Sequence, residues 1–169
     1  PGKVAREAVL TWNKLNDKVE GWPDVTLRRA PARIPWTFPL EQFPQSFQQD
    51  VDAWFDRMAM TDLFDDDAPV RALRPVTIEH RRFQVRMMAS AIVHQGVPIA
   101  TITSLADLVY FENFRSGIQF MLDRQDGAVK EALFTLATGI KSIARYHVKV
   151  KNVEFERIKR LCSRLDQKA

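Results

Sequence analysis

Cysteine is almost absent from this chain: there is one, Cys162, in 169 residues. A lone cysteine closes no intrachain disulfide. The three histidines, His80, His94 and His147, are scattered without metal-ligand spacing, so no zinc site is expected. A reducing cytosol is the plain reading. Long apolar runs are missing as well: none approaches the ~20 residues that cross a bilayer, and the opening PGKVAREAVL has no signal-peptide core. A cytoplasmic protein with no membrane partner is expected. No glycine-rich phosphate loop, Gly-x-Ser-x-Gly elbow or cysteine–histidine motif occurs, so neither catalysis nor a cofactor nor a small-molecule substrate is expected of this chain alone. Asp65, Asp66 and Asp67 lack the alternating ligands and the glycine of a calcium loop; they read as solvated linker, or as a polyanion that repels DNA.

Strand-like alternation is also lacking, and the apolar residues recur instead at helical spacing, so the class is all-α. Apolar residues make up 46% of the chain, enough for one good core or a core with an appendage. Val4, Ala8, Trp12, Leu15 and Val19 predict a helix over 3–19, stopped by Gly21 and Pro23. Pro23, Pro31, Pro35, Pro39 and Pro44 exclude a long regular element over 22–44, where Trp22, Trp36 and Phe38 can strap an extended segment onto something apolar. A helix from an N-cap at Ser46 to Met60 carries Phe47, Val51, Trp54, Phe55 and Met58 on one face and acid on the other. The Asp- and Pro-rich 61–75 reads as a linker, which divides the chain into a helical, proline-rich extension, 1–70, and a compact helical bundle, 71–169. Within the bundle, helices are expected over about 76–95, capped by Thr77 and ended by Gly96, then from Thr103 or Ser104, over the FENFRSGIQFMLDR stretch, over 130–147, and over about 152–166, the last carrying Val153, Phe155, Ile158, Leu161 and Leu165.

Charge divides along the same line. Residues 1–70 hold 8 Lys and Arg against 12 Asp and Glu, whereas 71–169 hold 17 against 9, so −4 faces +8. Such asymmetry is an electrostatic footprint for nucleic acid, and a basic face can also meet an acidic protein or an anionic membrane surface. Two amphipathic helices carry the basic groups. In the first, Ile78, Val85, Met88, Ala89 and Ile92 form the apolar stripe, with Arg82 and Arg86 one turn apart on a flank. These arginines can fork onto phosphates or guanine edges, or form a solvated helix face. Arg81 lies near the stripe, where it either contacts DNA or snorkels along the core edge. In the second, Leu133, Leu136, Ile140 and Ile143 face inward while Phe134, Thr138, Lys141 and Arg145 share another side, with Lys130 nearby. Thr138 can donate to a phosphate or back-bond to its own helix. Phe134 can pack on a neighbouring helix, or on a sugar or thymine methyl. His147, Lys149 and Lys151 extend this basic run as backbone contacts or as an ordinary charged loop.

The order of these features resembles the N-terminal core-binding, SAM-like domain of tyrosine recombinases, the phage-integrase family. The resemblance rests on Thr77 followed by Arg81 and Arg82, on the hinge Gly96, on Ile102, Thr103, Leu105 and Leu108, and on Ile140, Lys141, Ile143 and Tyr146. FPQSFQQDVDAWFDRM and TSLADLV extend it back to about residue 40. It implies a bacterial DNA-binding module that clamps one side of a recombination site, with the helices of 77–95 and 130–147 facing successive major grooves and with self-association on DNA in the full-length protein. The family's arginine, histidine and tyrosine chemistry belongs to a separate C-terminal domain. Tyr110 and Tyr146 lie inside the binding module, so neither is expected as nucleophile, and the missing initiator methionine suggests an excised fragment. Arg81 stands where an aromatic is common in the family.

The expected double-stranded DNA contacts are therefore Thr77, Arg81, Arg82, Arg86, Lys130, Thr138, Lys141, Arg145 and Lys149. The rival is a helical interaction module whose basic face meets an acidic partner, with Trp22, Trp36 and Trp54 serving that partner. A helix-turn-helix is disfavoured because QGVPIATITS is too long for its turn.

Overall fold

Leu133, Leu136, Ile140 and Ile143 all become buried on one side of a helix, and the same helical logic runs through the rest of the chain. The computed structural model describes residues 2–16, 18–28, 35–61, 64, 69 and 71–168. Its helices are α1 (Gly2–Asn16), α2 (Gln45–Met58), α3 (Pro75–His94), α4 (Leu105–Val109), α5 (Phe111–Asp123), α6 (Glu131–Tyr146) and α7 (Asn152–Asp166), and no strand occurs among the described residues. The fold is all-α.

The chain forms two compact units, Pro1–Pro35 and Trp36–Ala169. In the first, the extended residues after α1 return along it. Asn13 receives the Leu27 N–H at 2.9 Å and donates its amide to the Leu27 carbonyl at 3.0 Å, so one side chain does what a neighbouring strand would do. The Trp12 indole N–H donates to the Val25 carbonyl at 2.8 Å, and the Trp12 and Trp22 rings meet edge to face, centroids 5.0 Å apart.

The division at Pro35/Trp36 is not the one expected at 70/71, and the reason is α2. Phe47, Val51, Trp54, Phe55 and Met58 are buried in the same core as Val85, Met88, Ile92, Leu108, Phe114, Ile118, Ile140 and Ile158. An acidic outer face conceals an inner face that belongs to the bundle. Trp36 and Phe38 act as the expected strap: the Phe38 N–H donates to Ser90 Oγ at 2.9 Å, and Trp36 packs on Phe120 at 5.4 Å. His94 stacks flat on Phe120, centroids 4.9 Å apart, and its ring nitrogen reaches the Trp36 carbonyl at 2.8 Å. Within the expected linker 61–75, residues 62, 63, 65–68 and 70 lie outside the described residues, Asp65, Asp66 and Asp67 among them.

Three helix starts differ from expectation or refine it. Pro75 occupies the first position of α3 and Arg74 its N-cap, so Thr77 sits inside the first turn and is not the cap. A proline without an N–H suits that position. Pro44, not Ser46, precedes α2. At α4 the Ser104 and Asp107 capping box forms, and a carboxylate from another helix adds to it: Asp50 Oδ2 accepts the Leu105 N–H at 2.7 Å. Helix α7 turns Ile158, Cys162 and Leu165 to the core and leaves Val153 exposed.

Helix α3 packs chiefly on α5 and also on α6, while α7 packs on α6 and α5. The four therefore run in the cyclic order α3, α5, α7, α6, which puts the α3/α6 seam opposite the α5/α7 seam. The α3–α5 approach depends on Gly117: a Cβ there would stand 2.5 Å from Met88 Sδ and 3.3 Å from Ile92 Cγ1. Overpacking of this kind costs about 1–3 kcal/mol, against about 1 kcal/mol that alanine gains in helix propensity. Gly117→Ala is expected to lower the midpoint of thermal unfolding, and an unchanged or raised midpoint would show that Met88 yields freely.

Candidate nucleic-acid interface

The α3/α6 seam is an open groove of about 290 Å³ lined by Thr77, His80, Arg81 and Gln84 from α3 and by Phe134, Thr135, Thr138, Gly139 and Ser142 from α6. Gly139 lets the two helices approach closely, since a Cβ there would lie 3.3 Å from Gln84 Oε1. The groove's polar groups are of two kinds. Arg81 is half-buried, makes no ion pair among the described residues, and also borders the apolar hollow of Trp54, Phe55, Val85, Ile140 and Ile143 at the core edge. The hydroxyls of Thr77, Thr135, Thr138 and Ser142 flank it. Ser142 Oγ donates to the Thr138 carbonyl at 3.1 Å, whereas the buried Thr138 Oγ1 finds no hydrogen-bond partner among the described residues. A buried hydroxyl without a partner costs stability unless a ligand completes it. Of the alternatives for Thr138, the back-bond to its own helix is not made.

Helix α6 does not present one continuous stripe. Phe134 and Thr138 look into the groove, while Lys141 and Arg145 lean toward α7: Lys141 bears electrostatically on Cys162, and the Arg145 guanidinium lies 5.1 Å from the Phe155 ring centroid. Lys130, at the N-cap of α6, is exposed. Lys149 is exposed in the connection to α7, with φ +53°.

The first helix divides likewise. Arg82 turns away from the seam to α2, where its guanidinium pairs with Asp52 and lies 5.0 Å from the Phe55 ring centroid. Most of that side chain is covered. Arg86 rests over Phe83 at 5.0 Å and has a buried Nε with no partner among the described residues, on a separate surface with Leu40, Glu79 and Arg82. The structure thus brings Thr77, Arg81 and Thr138 together, sets Lys141 and Arg145 beside them on the outer side of α6, and keeps Arg82 and Arg86 apart. His80, Thr135 and Ser142 were missed. Their helical spacing from Thr77 and Thr138 was the available signal: His80 follows Thr77 by three residues, Thr135 precedes Thr138 by three, and Ser142 follows it by four.

Among the described residues no group of three or more His, Cys, Asp and Glu side chains is placed to hold a metal ion. The Gln84 amide N–H donates to His80 Nε2 at 3.2 Å. His147 does not extend the basic run; its Nε2 meets Asp50 Oδ1 at 2.7 Å beside the Trp54 ring, tying the end of α6 to α2. Asp50 thereby serves both α4 and His147. No helix among the described residues is long and apolar enough to cross a membrane.

Burial pushes the Cys162 thiol up to about 11, with the nearby Lys141 charge opposing only in part. Because the thiolate is the reactive form, a raised value protects it. At pH 8 the native chain is expected to react with a soluble thiol reagent at least ten-fold more slowly than the urea-unfolded chain, and equal rates would place Cys162 at the surface.

No family model matches the chain, and no curated protein or solved structure matches it either.

Counted from Trp36, the second unit is close to neutral, with 18 Lys and Arg against 17 Asp and Glu. Its charge is distributed rather than excessive. Exposed Asp52 and Asp56 lie on α2, whereas Arg81 lies in the α3/α6 seam and Lys141 and Arg145 on the side of α6 beyond it.

Proposed function

We propose that the Trp36–Ala169 unit is a duplex-DNA-binding module that seats sugar-phosphate backbone along the α3/α6 seam, the part that the resemblance to tyrosine-recombinase core-binding domains implies. Strand exchange itself belongs, on this reading, to a catalytic domain outside this chain. The observation that carries it is the pairing of an Arg81 guanidinium free of ion pairs with a row of hydroxyls, one of them buried and unpartnered. Charged forks and hydroxyl donors are the groups that hold phosphate oxygens, and such contacts position a duplex without reading its sequence. Phe134 at the rim supplies a flat apolar surface for a sugar or a thymine methyl. Lys141 and Arg145 extend the positive field along α6, reaching the next phosphates rather than the groove itself.

Fluorescence anisotropy of a labelled random-sequence duplex, titrated with the full chain across a salt series, tests this. Binding whose logarithmic affinity falls linearly with the logarithm of salt concentration is expected, since each neutralised phosphate releases counterions. Absence of binding at 20 mM salt overturns the proposal.

A further inference from the structure

The α5/α7 seam, on the other side of the bundle, holds a second cationic groove. It has a volume of about 300 Å³ and is lined by Phe111, Arg115, Arg157, Arg160, Leu161 and Arg164. Three of its four arginines come from α7 at positions i, i+3 and i+7, one face of a helix, spanning roughly 10 Å at 1.5 Å per residue. They are not equivalent. Arg157 is fixed: its guanidinium lies 3.9 Å from the Phe111 centroid and takes Glu112 at 2.8 Å and Glu154 at 3.3 Å. Arg115 has only a 3.9 Å approach to Glu112, and Arg160 and Arg164 have no ion pair among the described residues. Beneath them Phe111 and Leu161, each half-buried, form an apolar floor.

We propose that this groove docks an amphipathic acidic segment of a partner protein, with carboxylates on Arg160, Arg164 and Arg115 and an apolar side chain on Phe111 and Leu161. Charge complementarity selects the occupant: two carboxylates of the chain itself already hold Arg157 in this groove, and two further guanidiniums one turn apart await the same chemistry. An acidic helix with carboxylates at i and i+3 or i+4 matches that spacing. This groove lacks the hydroxyl row of the opposite seam. Because the seams lie on opposite sides, a duplex on one leaves the other open, and docking here does not depend on what the α3/α6 seam binds.

The test uses the full chain and a fluorescein-labelled helical peptide with glutamates at i, i+3 and i+7 and leucines between them. A control peptide carries glutamine in place of glutamate. The acidic peptide is expected to bind at least ten-fold more tightly than the control, and Arg160→Glu/Arg164→Glu to remove that difference while leaving the circular dichroism spectrum unchanged. The milder Arg160→Gln/Arg164→Gln should lose most of it as well. Arg81→Ala should leave peptide binding intact. Equal affinity for the two peptides overturns the proposal, as does wild-type peptide binding by the charge-reversed chain. A loss of duplex affinity in Arg160→Gln/Arg164→Gln larger than that in Arg81→Ala would assign the groove to nucleic acid instead, and would equally overturn it.

Discussion

Residues 71–169 produced alone are expected to lack a cooperative unfolding transition, whereas 36–169 should unfold sigmoidally in urea. The cause is the inner face of α2. Phe47, Val51, Trp54, Phe55 and Met58 are each at most 6% exposed, and their partners lie on the helices that follow. Each large apolar side chain so buried stabilises by about 1.5–3 kcal/mol, and together the five rival the whole stability of a typical domain, about 5–15 kcal/mol. Cutting at residue 71 would leave that surface bare. It would also orphan the Leu105 N–H and His147, both of which depend on Asp50. Within the intact chain, Phe47→Ala alone should cost about 3–5 kcal/mol. A 71–169 fragment that unfolds with the midpoint of 36–169 would refute this account of the core.

The second large effect concerns the duplex. Arg81→Ala should reduce the salt slope of duplex binding by about 0.9, and Lys141→Ala/Arg145→Ala by about twice that, each phosphate contact contributing one such step. Arg82→Ala is the discriminating control. Its charge is committed to Asp52 and its face to Phe55, so the slope should stay unchanged while the denaturation midpoint falls. A slope reduced by Arg82→Ala and untouched by Arg81→Ala would move the interface from the α3/α6 seam to the α2/α3 side.

These two outcomes turn on the features that sequence reasoning reads least well. Helical periodicity was enough for the inward residues of α3, α5 and α6, because one buried stripe per helix is a local property: Val85, Met88, Ile92, Phe114, Ile118, Leu136 and Ile140 all lie in the core. The Ser104 start of α4 was legible for the same reason, its cap being completed within three residues. What lay beyond reach is non-local. Nothing near residue 50 shows that its carboxylate will meet a histidine 97 positions on, and nothing near residue 82 shows that its arginine is matched to an aspartate 30 positions earlier. The acidic run at 62–67 drew the domain boundary to the wrong side of α2, because exposed charge in a helix says little about what its opposite face touches. For the α3/α6 seam, the positions on each helix were visible, and their juxtaposition was not: Thr77 and Thr138 become neighbours of one groove only once Gly139 lets the helices close.

The strap that begins at Trp36 has a spectroscopic consequence. Trp12 and Trp22 belong to the first unit and Trp36 and Trp54 to the second, so the four indoles divide two and two. Trp36 lies under the Arg124 guanidinium and against Phe120, and Trp54 beside the His147 ring, surroundings unlike the mutual edge-to-face contact of the first pair. Replacing either pair with phenylalanine would leave the emission of one unit alone, making each half of the chain its own optical reporter without an added dye.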